Sequence, residues 1–80
     1  CMQVWVDDRP EPSIGAAGKT YRSGKTLTFS GETSIEVRTG SSGNTYFSLN
    51  GTSLGALGRR GIPETWLFRP PDEPVRTDRR

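Results

Sequence analysis

The residues that could do chemistry are few in kind. The chain has no histidine and one cysteine, Cys1. That removes the Ser-His-Asp and Cys-His arrangements in which a base activates a nucleophile. It also leaves too few nitrogen and sulfur donors for a structural zinc site, and no partner for a disulfide. Asp7, Asp8 and Glu11 gather carboxylates of the kind calcium prefers, without the ligand spacing of a calcium loop. A solvated acidic loop is the plainer reading. Gly15-Ala16-Ala17-Gly18 and Gly55-Ala56-Leu57-Gly58 are not followed by the Gly-Lys-Ser/Thr of a phosphate-binding loop, so their glycines read as turn residues. Arg59 and Arg60, with Arg38 and Lys25, carry charge that suits an anionic polymer, or are scattered surface charges. Trp5, Tyr21 and Tyr46 offer flat faces on which a sugar can stack, whereas Trp66, beside Leu67 and Phe68, reads as a core anchor. No catalytic residue, cofactor or metal site is expected, and the chain reads as a binding module rather than an enzyme.

The elements that would position these residues are short. Eighty residues allow one domain. Apolar residues make up 30% of the chain, and ten glycines with six prolines suit short strands joined by tight turns. Eleven Lys and Arg against nine Asp and Glu leave a charge of +2. Part of that excess lies in the last dozen residues, so the body lacks the dense basic face of a nucleic-acid domain, and no nucleic-acid partner is expected. No apolar run approaches the ~18 residues of a membrane helix, and no signal-peptide pattern opens the chain. The chain starts abruptly in a strand-like run and reads as a piece of a longer protein.

Alternation of apolar and polar residues predicts strands at Met2 to Val6, Lys19 to Arg22, Lys25 to Ser30, Ser34 to Arg38, Thr45 to Leu49, Thr52 to Leu54 and Glu64 to Phe68. Pro10 and Pro12 keep the 7–18 stretch out of any central ladder. Asn50-Gly51 predicts a two-residue type I′ hairpin, because both central residues of that turn need positive φ. The tip also makes Asn50 a candidate contact with a partner. The expected core is Val4, Val6, Leu27, Phe29, Ile35 and Val37 from the first half, joined by Phe47, Leu49, Leu54, Leu57, Trp66 and Phe68. The fold class is all-β: a small β-sandwich or open barrel of about six to seven short antiparallel strands over residues 1–69. Residues 70–80, rich in proline and charge, are expected to be a disordered tail.

One longer pattern is more specific. Val37-Arg38-Thr39-Gly40 with Gly43, then Leu49-Asn50-Gly51, then Leu54-Gly55-Ala56-Leu57-Gly58 follow one another in an order that resembles the C-terminal extracytoplasmic domain of RodZ-like bacterial membrane proteins. Val4-Trp5-Val6-Asp7 looks like that family's opening strand, and Ser23-Gly24-Lys25-Thr26-Leu27-Thr28-Phe29 like its Gly-x-x-x-x-Phe strand. Asp8 stands where the family has a glycine, and the Pro10 to Gly18 loop looks inserted. The resemblance spans about residues 4 to 68.

The resemblance implies an architecture beyond this chain: a cytoplasmic helix-turn-helix domain, one membrane helix, a linker, and this β domain on the far side of the membrane. It implies a role in cell shape and cell-wall synthesis, through proteins that link the actin-like MreB filament to the wall-building machinery. The MreB contact would belong to the absent cytoplasmic part. The partner of this segment would be a protein or a cell-envelope polymer. The alternative is a carbohydrate- or cell-wall-polymer-binding β module of a surface protein. Candidate contact residues are Trp5, Tyr21, Arg38 and Tyr46, with Asn50, Arg59 and Arg60.

Overall fold

Alternation becomes a pleated sheet where a neighbour completes the ladder. In the computed structural model, which describes all 80 residues, three such runs lie side by side. They are β1 (Met2–Val6), β3 (Ile35–Thr39) and β6 (Glu64–Phe68), paired antiparallel in the order β1-β3-β6. Register places Val4 opposite Val37 and Val37 opposite Trp66, with Val6, Ile35 and Phe68 aligned in the next row. These two rows form the apolar face, since cross-strand partners point the same way. On the other face Trp5 stands beside Glu36, and Arg38 beside Thr65.

Two short strands complete the sheet. β2 (Arg9–Pro10) pairs with β1 at one edge and β7 (Val75–Thr77) with β6 at the other. Pro10 sits where proline is tolerated, on an edge strand. A separate hairpin of β4 (Tyr46–Leu49) and β5 (Thr52–Ala56) covers the apolar face. Its Phe47 ring lies 5.1 Å from that of Phe68, tilted by 42°. A 3-10 turn at Ser42–Asn44 links β3 to the hairpin. No helix is long and apolar enough to cross a membrane.

The hairpin follows its turn chemistry. Asn50 and Gly51 hold φ of 51° and 83°, and Leu49 pairs with Thr52 across the two-residue loop. The register shifts between Phe47 and Ser48, which leaves Leu54 as an extra residue in β5 before Gly55.

The all-β class and the antiparallel pairing agree with the sequence, whereas three expected elements do not. Lys25 to Ser30 is no strand. Leu27 and Phe29 are still half-buried while Thr26, Thr28 and Ser30 are exposed, so the alternation survives without a ladder. Lys19 to Arg22 contributes only one bridge, from Lys19 to Met2. The expected disordered tail is ordered: Val75, Arg76 and Thr77 pair with Leu67, Trp66 and Thr65. An open edge at β6 supplies the partner that the tail's own sequence does not announce.

The core centres on Val4, Ile14, Val37 and Phe68, with Val6, Phe29, Ile35, Phe47, Leu49, Leu54, Leu57 and Trp66 packed against them. Ile14 is an addition: the bonds from Ile14 N and Gly15 N to Glu11 O turn the 11–15 loop back over the sheet. Met2 and Tyr21 join the same cluster, while Leu27 does not.

Candidate functional site

The structure divides the candidate contact residues into two groups. Tyr21, Tyr46 and Asn50 line an open trough of about 1650 Å³ between the hairpin and the unladdered 22–33 segment. Arg38 and Arg59 line a smaller, polar pocket of about 310 Å³, together with residues 62–65 and 76–78 and sharing no lining residue with the trough. Trp5 and Arg60 lie in neither.

Within the trough, Tyr46 is 76% exposed and projects from β4. Tyr21 is half-buried against the core with the Lys19 ammonium 5.7 Å from its ring centroid. The trough floor is the apolar face itself, reached at Val37 and Phe68. Its outer wall, Thr26 to Ser30, makes no backbone hydrogen bond.

Trp5 is not available as a stacking surface. The Arg79 guanidinium lies 4.9 Å from its ring centroid. Arg79 donates to Glu36 Oε1 at 3.0 Å and to the Asp8 carboxylate, and Thr77 Oγ1 donates to Glu36 Oε2 at 2.6 Å. Glu36, a charged residue in a central strand, is thus buried with its charge met by the tail. Sequence reading placed Trp5 correctly on the face opposite Val4, but missed its cover because that cover comes from the tail.

The carboxylates near Trp5 are similarly engaged. Asp7 turns the chain at φ of 50° and accepts from the backbone N–H groups of Thr33 at 2.7 Å, Glu32 at 3.0 Å and Ser34 at 3.1 Å. The Glu32 and Thr33 amides lead in holding its carboxyl far below the usual carboxylate range. Glu11 accepts from Ser13 Oγ at 2.6 Å and from Ser13 N at 2.9 Å, which lowers its pKa as well. These oxygens serve loop geometry, and no group of His, Cys, Asp or Glu is arranged to hold a metal.

The pocket is built on a fixed base. Ser42, fully buried, donates to Glu64 Oε1 at 2.8 Å, with the Arg59 and Ile62 carbonyls also within reach. Trp66 Nε1 and Arg76 Nη1 donate to the same carboxylate, both at 3.3 Å. The Ser42 hydroxyl is the main cause of a lowered Glu64 pKa, acting against burial. Gly58 closes over this knot so tightly that a Cβ there would overlap the Glu64 carboxylate and the Ser42 side chain. The bonds from Gly43 N and Ile62 N to Arg59 O then fix the loop that carries Arg59. Arg38 reaches the rim from β3 and donates to Thr65 Oγ1 at 3.3 Å. Arg76 and Arg80 complete the lining from the tail. Sequence reading missed these two because it assigned no structure to the tail; four arginines in its last dozen residues were the available signal.

What emerges is a small antiparallel β domain whose turns and loops shape one trough and one basic pocket. The chain belongs to the RodZ C-terminal domain family, whose model matches residues 14–62, more than half of the chain. The matched span holds the Val37-to-Gly40 run, the Asn50-Gly51 turn and the packed Gly58, and leaves β1, β2, β6 and β7 outside. No curated protein and no solved structure matches the chain.

Proposed function

We propose that this domain is a non-enzymatic interaction module, held outside the cytoplasmic membrane by a RodZ-like single-pass protein that contributes to bacterial cell shape and cell-wall synthesis. Its partner is a protein or a cell-envelope polymer. The observation that carries the reading is membership of the RodZ C-terminal domain family across residues 14–62. The geometry supports it in kind: an open trough with an exposed Tyr46 at its edge suits contact with a larger partner better than enclosure of a small substrate. A sugar-stacking platform has less support, because Trp5 lies beneath Arg79 and Tyr21 packs into the core, which leaves Tyr46 without an aromatic neighbour.

Two measurements test the reading. An alkaline phosphatase fusion behind residue 80 of the native reading frame is expected to be active, which requires export. Deleting residues 1–80 from that frame is expected to widen or round the cells while the remaining protein stays in the membrane. An inactive fusion, or deletion mutants of normal width and length, would refute the location or the role respectively.

A further inference from the structure

We propose that the pocket framed by Arg38, Arg59, Arg76 and Arg80 is a binding site for a phosphate-type oxyanion. The inference goes beyond the proposed function, since it concerns a surface away from the trough and stands or falls on binding in solution.

Charge balance is the first argument. Four arginines line this cavity with two acidic residues, Glu64 and Asp78. Of the four, only Arg76 is ion-paired, to Glu64 at 3.3 Å. Glu64 in turn is already committed to Ser42, Trp66 and Arg76. Arg38, Arg59 and Arg80, which line the same cavity, have no carboxylate partner. Like charges so gathered repel one another, and a bound anion relieves that repulsion.

Rigidity is the second argument. Arg38 stands on a central strand, paired on both sides by β1 and β6. Arg59 sits on a loop whose carbonyl accepts from Gly43 N at 2.9 Å and Ile62 N at 3.2 Å. Backbone held in this way leaves only the side chains to be ordered on binding, and guanidinium forks match the geometry of phosphate oxygens. The third argument is size: about 310 Å³ accommodates a phosphate with a short polyol attached, at the lower end of ligand sites. Asp78 gives the proposal a sign that can be checked, because it is the one lining carboxylate without an ion-pair partner.

The experiment titrates the 80-residue chain with glycerol phosphate and follows backbone amide shifts by NMR. Saturable shifts around Arg38 and Arg59 are expected, with a Kd of about 1 mM. Arg59→Gln, in an exposed loop, should weaken binding by about tenfold, as loss of a charge-assisted fork would. Arg60→Gln removes the same charge one residue away, outside the pocket, and should leave the Kd within about twofold. Asp78→Asn should tighten binding. In a second arm, co-sedimentation with phosphatidylglycerol vesicles, abolished by Arg59→Gln but not by Arg60→Gln, makes a lipid headgroup the source of the phosphate. Glycerol phosphate binding without co-sedimentation makes it a soluble or polymer-borne phosphate. Absence of saturable shifts up to about 50 mM, or equal losses from Arg59→Gln and Arg60→Gln, would overturn the proposal.

Discussion

Lys25 to Ser30 and Val75 to Thr77 exchange the roles their sequences suggest. The first has the cleanest alternation in the chain, Thr-Leu-Thr-Phe, and joins no ladder. The second follows three prolines, offers one apolar residue, and forms the edge strand β7. The difference lies in the neighbour, not in propensity. β6 presents a free edge beside the tail, whereas the hairpin and β1 leave the 25–30 run apart from both. Strand formation is decided by pairing and burial, and propensity adjusts the outcome by ~1 kcal/mol at most.

The largest effect should come from removing the tail. Truncation after Arg69 deletes β7, opens the β6 edge and takes Arg79 from above Trp5 and beside Glu36. A buried carboxylate is then left without its cation, which is costly. The melting temperature should fall by about 10 °C or more in a domain of this size. A fall of only a degree or two would show that β7 adds nothing and would erase the contrast with residues 25–30.

Much of the fold was legible because its signals are local. Ile35 to Thr39 alternates and is a central strand, and the Asn50-Gly51 dipeptide sets a hairpin whose φ values are those the turn requires. The order of the family's turns is likewise written in the chain. Contacts with partners far along the sequence were not legible. Glu36 and Trp5 are buried by residues some forty and seventy positions away, and nothing in β1 or β3 announces Arg79. The basic pocket was half visible, through Arg38 and Arg59; its other half arrived with the tail. Ile14 was missed for a related reason, since a loop folded back over a sheet has no periodicity.

A smaller loss is expected at the hairpin, where sequence and structure agree. Gly51→Val places a β-branched residue at φ of 83° and should cost about 1–2 kcal/mol. Thr52→Val, just outside the turn and exposed, should change stability by less than about 0.5 kcal/mol. Chemical denaturation of the two variants checks this. Equal midpoints would mean that the turn does not set the β4–β5 register.

Asp7 ties the unladdered segment to the sheet, and its contribution has a definite pH sign. Its folded pKa is depressed, so the stabilisation is fully present above the ordinary carboxylate value of about 4 and is lost as pH falls below it. Asp7→Asn should lower the melting temperature at pH 7 and flatten its decline between about pH 4 and pH 2. An unchanged acid profile would assign the acid sensitivity to other groups; Glu11 and Glu64, also depressed, titrate with the same sign.

The smallest effect is expected within the 25–30 run itself, and it is the most direct test of the comparison. The backbone N–H groups of Thr26 to Ser30 donate to nothing in the protein, and the Thr28 side chain is exposed. Thr28→Ala should therefore alter stability by less than about 0.5 kcal/mol, although threonine is the better strand former. Amide exchange separates the two regions further. Exchange from Thr26 to Ser30 should be close to that of an unstructured chain, while the ladder amides of β3 and β6 exchange only through wider opening. Protection of alternate amides from Thr26 to Ser30 would show that this run finds a ladder partner in solution, and its alternating sequence would then have the strand meaning it first suggested.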